Sequence, residues 1–178
     1  MERSLHRGSE AVNRSERCVL FDWGDTLMVD FPGCRGPMIG WPKLAALPGA
    51  AEALAALQPA WTLALATNAA DSDEAQIRAA LRRVDLERWL DRVYCYRRIG
   101  HPKPSAAFFE SVLRDLGLAA QRVVMVGDDY DKDVQGARRA GLRAVWLNRR
   151  TGERPEGEGV RTIVDLGELP DVLENWDR

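Results

Sequence analysis

Three apolar runs in this 178-residue chain stop abruptly at side chains able to do chemistry. In VLFDWGDTL the run ends at Asp22, in WTLALATN it ends at Thr67 and Asn68, and in VVMVGDDYDKD it ends at Asp128 and Asp129, with Asp133 close behind. A fourth candidate, Lys103, lies between Pro102 and Pro104 in GHPKPS. Carboxylates serve as nucleophiles or as ligands for a hard cation, and a hydroxyl beside an ammonium group can hold an anion. Short apolar runs are the pattern of strands buried on both faces of a parallel sheet, and ligands of such sheets bind just beyond the carboxyl ends of the strands. Asp22 therefore stands where a reactive group is expected.

Each candidate also has an ordinary use. Asp22 could cap its turn, because Asp and Gly are common turn formers. Thr67 could cap a helix. Lys103 could be a solvated loop charge, although its prolines would fix its direction. Negative charge suits a helix N-terminus, so Asp129, Asp131 and Asp133 include candidate caps. Trp23 could pack in the core or flank a ligand. A single strand ending in a polar residue means little, but all these groups falling at one end of one sheet is hard to attribute to turn chemistry.

The elements that must position them follow from periodicity. Strands are expected over 18–22, 61–66, 93–96, 122–126 and 143–147. Helices are expected from Pro48 through GAAEALAALQ, from a cap at Ser72 through AQIRAALRR, over 105–116 with Gly117 as its stop, and over 134–140 with Gly141 as its stop. A shorter helical piece is expected over 86–90. Alternating strands and helices imply right-handed crossovers, hence a parallel sheet covered on both faces. The fold class is α/β, and the domain plan is a flexible leader over 1–17 followed by one domain over 18–178. Residues 28–47 are dense in Gly and Pro and read as a loop, with Trp41 as a candidate anchor. The polar run TGERPEGEG reads as an exposed excursion, and VRTIVDLGELPDVLENW as a short strand and a closing helix.

Composition narrows the classes. The net charge is −2, and the basic residues, all arginine except Lys43, Lys103 and Lys132, are scattered among acidic and apolar neighbours, so no nucleic-acid partner is expected. The three cysteines lack a CxxC pair or a neighbouring His, which argues against zinc and for a reducing compartment. Without a signal-like or spanning apolar segment, no membrane partner and a cytoplasmic location are expected.

The series FDWGDTL, LALATN, GHPKPS and VMVGDDYDKD, taken in order, resembles the four signatures of the haloacid dehalogenase-like superfamily, over about residues 19–147. The resemblance implies a Rossmann-like three-layer sandwich with a mainly parallel five-stranded sheet in the order 3-2-1-4-5, and a hydrolase. It further implies a Mg²⁺-dependent phosphatase acting on a phosphorylated substrate. Asp22 would be the nucleophile, forming an aspartyl-phosphate, and a metal ligand with Asp128 and the backbone carbonyl of Gly24. Thr67 and the backbone N–H of Asn68 would bind phosphate, and Lys103 would screen charge. Asp133, or secondarily Asp129, would hold a metal-bound water or orient Lys103. Attack of an anion on an anion makes the cation and the lysine necessary.

Two features depart from the family pattern. Position 24, where phosphatases of the family carry a second Asp as acid and base, is glycine, which removes a contribution of about 10² to 10⁴ in rate. Asp25 could move into the vacancy, the substrate could be an acyl or aryl phosphate needing little protonation, or the site could be degenerate and regulatory. Dehalogenase-like chemistry is a further alternative, whereas phosphonatase chemistry lacks a cap lysine. A phospho-acceptor domain would place its acidic pair before the acceptor Asp, the reverse of the order here. The second departure is a missing cap, with only the 28–47 loop in its place. An open site suits a large phosphorylated substrate, or a homo-oligomer in which a partner subunit lends a lid.

Overall fold

The computed structural model describes residues 16–176. Six parallel strands form one sheet in the order β3-β2-β1-β4-β5-β6. They are β1 (Cys18–Phe21), β2 (Thr62–Ala66), β3 (Arg92–Tyr94), β4 (Val123–Gly127), β5 (Arg143–Leu147) and β6 (Val160–Ile163). The expected order 3-2-1-4-5 is present, and the count is corrected from five to six. The short VRTI segment pairs in parallel with β5. As the outer strand it buries only Thr162 and Ile163, so its apolar signal is too weak to mark it as part of the sheet. Most of the expected leader, residues 1–15, lies outside the described residues. Arg17 is tied to the fold, its guanidinium 4.2 Å from the Trp61 ring and its carbonyl accepting from the Thr62 N–H.

Side chains alternate across the sheet with period two and divide the core into two layers. Val19, Phe21, Leu63, Leu65, Val124 and Val126 face one way, onto α1 (Ala50–Leu57), α2 (Glu74–Arg82) and α6 (Leu169–Glu174). Leu20, Ala64, Met125 and Ala144 face the other way, onto α4 (Ala106–Leu116) and α5 (Gly136–Arg139). The four-residue α3 (Tyr96–Ile99) follows β3 directly. The cap of α2 is Asp73 rather than Ser72. Its carboxylate accepts from the Gln76 N–H while the Gln76 amide oxygen accepts from the Asp73 N–H, a reciprocal box that a serine one residue earlier cannot form in this register. Ser72 is buried and donates to Asp71. The helix expected over 134–140 is also replaced: a π turn over Tyr130–Gln135 leads into the shorter α5. Asp129 stands at its start, accepting from the Asp131 and Lys132 N–H groups.

The loop over 28–47 is more ordered than its composition suggests. Met28 bridges to both Gly24 and Ala46, the Val29 N–H donates to Ala45, and Trp41 is buried with its indole N–H on the Gly36 carbonyl.

Register places the chemistry. Phe21 is aligned with Leu65 on one side and Val126 on the other, so Asp22, Thr67 and Asp128 emerge side by side at the carboxyl edge. Behind them α5 packs tightly on the Lys103 loop. A methyl group on Gly136 would lie 2.7 Å from Pro104 Cβ and 2.9 Å from Pro104 Cα. Gly136→Ala is therefore expected to cost about 1–3 kcal/mol by overpacking. Gly40→Ala, which meets no atom within 4 Å, should stay within about 0.5 kcal/mol of wild type. Urea unfolding of the two variants checks this, and equal midpoints would refute the close approach.

Candidate active site

At the carboxyl edge of the sheet, the Lys103 ammonium lies 2.7 Å from Asp22 Oδ1 and 2.7 Å from Asp133 Oδ1. The lysine side chain and Asp133 are each only 1% exposed, while Asp22 is 17% exposed and opens to a cavity of about 370 Å³. That volume lies in the usual range for small-molecule sites. Burial pulls the Lys103 pKa down, but Asp22 and then Asp133 outweigh it and hold the ammonium above the usual lysine value. Burial pushes the Asp133 carboxyl above its ordinary range, with Lys103 pulling it back. The bridge is therefore a cation held by two acids in a nearly dry setting.

Neighbouring backbone keeps this bridge in place. Asn68 clamps the lysine's main chain, its amide donating to the Lys103 carbonyl at 2.8 Å and its oxygen accepting from the Lys103 N–H at 2.7 Å. Gly127 lets Asp133 close over β4, because a side chain there would collide with the Asp133 carboxylate. Asp133 Oδ2 accepts from the Asp129 N–H, which fixes the orientation of the carboxyl group. Asp129 spends its own carboxylate on the π turn and on the Lys132 ammonium, 2.7 Å away, and makes no contact with Lys103. Of the two residues expected to orient Lys103, it is Asp133 that touches it.

Asp22, Asp128 and Asp133 each offer a carboxylate oxygen within 4.8 Å of the other two. An all-oxygen set of negative ligands is the donor type a hard divalent cation takes, so these residues fit Mg²⁺. Burial, then Asp22 and Asp25, raise the Asp128 pKa to about 6, against the opposing pull of Arg150. The Asp128 N–H donates to the hydroxyl of the fully buried Thr26, and the Asp128 carbonyl accepts from the Trp146 indole. Thr67 is 4% exposed and lines the cavity, its hydroxyl oxygen accepting from the Ala69 N–H. Trp23 does both things open to it: it is buried in the core and it lines the cavity.

Gly24 and Asp25 also line the cavity. Asp25 has φ +52° and turns the chain back, its N–H donating to the Met28 carbonyl and its carboxylate accepting from the Asp30 N–H. Thr26, Asp30 and Arg150 carry no clear signal in the sequence. Arg150, whose guanidinium is 3.2 Å from Asp128, sits in an arginine pair that reads as solvated, and Asp30 sits in an aperiodic loop. Only the DTL that closes the first signature hinted at Thr26.

Removing the lysine should expose the electrostatics. Lys103→Met leaves a buried carboxylate without its counter-charge, a loss of about 3–5 kcal/mol at neutral pH. With its folded pKa far above the unfolded value, Asp133 then penalises folding at high pH, and the penalty fades as pH falls and the group takes up a proton. Denaturation from about pH 8 to about pH 5 should show the variant gaining on wild type. A pH-independent gap would contradict the buried pair.

A family model described as haloacid dehalogenase-like hydrolase matches residues 34–141. The chain is 33% identical over 129 residues to the pyrimidine 5′-nucleotidase YjjG of Escherichia coli (strain K12), covering 71% of this chain and 56% of that protein. It is 41% identical over 75 residues to a phosphoserine phosphatase of Thermus thermophilus, covering 42% of this chain and 29% of the relative. The chain thus spans about half or less of the length of these curated relatives. A crystal structure of an uncharacterized protein from Listeria monocytogenes serotype 4b superposes with a TM-score of 0.77 at 27% identity, covering 89% of this chain and 97% of that one.

Proposed function

Given that the chain belongs to the haloacid dehalogenase-like hydrolases, we propose that it is a Mg²⁺-dependent phosphatase in which Asp22 attacks phosphorus. The observation that carries this reading is the Lys103 ammonium bridging Asp22 and Asp133 beside Asp128, at the mouth of an open cavity. The names of its relatives, a phosphoserine phosphatase and a pyrimidine 5′-nucleotidase, support it.

The roles follow from the chemistry. A phosphate monoester approaching Asp22 brings negative charge to negative charge, and Lys103 offsets part of it. Lys103 also aims one oxygen of Asp22, leaving the other free for attack. The Thr67 hydroxyl has donated to nothing among the described residues, so it can donate to a phosphate oxygen, joined by the Asn68 N–H. Asp22, Asp128 and the Gly24 carbonyl would hold Mg²⁺, with Asp133 as the nearby carboxylate. When bound, the ion supplies positive charge to the phosphoryl oxygens. Attack forms a phosphorus–oxygen bond to Asp22 and breaks the one to the leaving group. Water then hydrolyses the aspartyl-phosphate and restores the carboxylate.

Asp30, Gly36, Met38 and Trp41 of the 28–47 loop line one side of the cavity. Such an open site suits a substrate whose bulk extends into solvent.

Purified protein with Mg²⁺ should hydrolyse p-nitrophenyl phosphate, and Asp22→Asn should abolish turnover. Equal rates in the two proteins would reject the reading. Because Asp128 takes up a proton near pH 6, Mg²⁺ affinity should rise as pH increases through that value. Calorimetric titration at about pH 5 and about pH 8 checks the direction, and equal affinities would exclude Asp128 as a ligand.

A further inference from the structure

We propose that Asp30 performs the proton transfer for which position 24 has no side chain. This rests on the phosphatase reading above and fills the step that the reading leaves without a residue. The glycine at 24 removes a carboxylate from beside Asp22, and the fold returns another to the same place. A methyl group built on Gly24 would lie 3.4 Å from Asp30 Oδ2 and 3.6 Å from Asp30 Cγ. The Asp30 carboxylate thus lies in van der Waals reach of where a side chain at position 24 would begin.

That placement is enforced by backbone. Five residues lie between Gly24 and Asp30, and the turn they form is closed by the Gly24–Met28 bridge and by the Asp25 N–H on the Met28 carbonyl at 2.7 Å. The far side is held by the Val29 N–H on Ala45 at 2.9 Å. Asp25 Oδ1 accepts from the Asp30 N–H at 3.1 Å, which anchors residue 30 itself. Asp25, the residue that sequence offers as the substitute acid, is thereby committed to holding Asp30.

The other carboxylates around the cavity are engaged as well. Asp22 and Asp133 share Lys103, Asp128 pairs with Arg150, Asp129 takes Lys132, and Asp71 accepts from Ser72. Among the described residues, no donor reaches the side-chain oxygens of Asp30. It lines the cavity and is exposed, so it can meet an incoming group without first breaking a bond. Displacement at phosphorus expels the leaving group on the side away from the nucleophile. Asp22 is rooted at the strand end, so in the proposed reaction the leaving group departs toward the open part of the cavity, whose lining includes the exposed Asp30.

The step balances as follows. As Asp22 forms its bond to phosphorus, the phosphorus–oxygen bond to the leaving group breaks, and that oxygen takes the proton of the Asp30 carboxylic acid to depart as an alcohol. In the second half, the Asp30 carboxylate takes a proton from water as the water oxygen attacks the phosphoryl group. Inorganic phosphate leaves, Asp22 regains its carboxylate, and Asp30 regains its proton.

The test is a series of substituted phenyl phosphates, from p-nitrophenyl to p-methoxyphenyl, compared through kcat/KM, which reports the steps through leaving-group departure. Asp30→Asn should lower kcat/KM by about 10²-fold or more for the poorest leaving groups, and by less than about tenfold for p-nitrophenyl phosphate, whose leaving group needs little protonation. The dependence on leaving-group acidity should steepen accordingly. Moving the carboxylate back, in the double variant Gly24→Asp/Asp30→Ala, should recover the poor leaving groups. Uniform losses across the series would assign Asp30 a structural role, and no loss would remove it from the reaction; either overturns the proposal. If wild type and Asp22→Asn hydrolyse every ester equally, the phosphatase reading itself fails and the proposal with it. An active wild type with an unchanged dependence in Asp30→Asn removes Asp30 alone.

Discussion

A lysine with almost no exposed side chain, held between two carboxylates, is the constraint around which this molecule is arranged. Taking an ammonium group out of water costs several kcal/mol, and only close counter-charges offset it. The chain provides them from positions far apart: Asp22 from the end of the first strand and Asp133 from the turn after the fourth. The Asn68 clamp, the missing side chain at Gly127, the reach of the Asp129 N–H to Asp133 and the close seat of Gly136 on Pro104 all keep the three groups in register. Loosening any of them would leave a buried charge unpaired.

The same arrangement sets the electrostatic character of the cavity. One lysine cannot neutralise Asp22, Asp128 and Asp133 together, so the site carries surplus negative charge that favours a divalent cation. Arg150 meets part of it at Asp128, but from an exposed position where solvent weakens the pair. A phosphoryl group would enter a field in which the acids need cations and the cations are already positioned. In the proposed mechanism the protein contributes this preorganisation, and the first loop contributes the proton transfer.

In the proposal, that loop relocates a function within the fold. In the family pattern expected from sequence, the acid follows two residues after the nucleophile, and a glycine there reads as a loss. In three dimensions the turn through the left-handed Asp25 brings residue 30 back over residue 24. The loop that stands in place of a cap thus shapes the cavity wall with Met38 and Trp41 and lays a carboxylate beside the vacancy. Loop composition gives no periodicity from which such a return could be read.

Resemblance to the family supplied the order of the first five strands and the place of Lys103; the sequence by itself determined the alternation of strands and helices and the placing of Asp22, Thr67 and Asp128 at strand ends. Apolar runs that end in polar residues encode strand, burial and strand end at once, so these features are local and legible. Tertiary structure decided what depends on distance across the chain. It chose Asp133 over Asp129 as the partner of Lys103, because Asp129 is consumed by the turn it starts. It seated VRTI as a sixth strand on β5, where pairing compensates a weak apolar pattern. It also turned Asn68 from a bare strand-end amide into the clamp on Lys103, and brought Asp30 to Gly24. Hydrogen bonds and packing between residues remote in sequence leave no periodic trace along it, and only the closed fold reveals them.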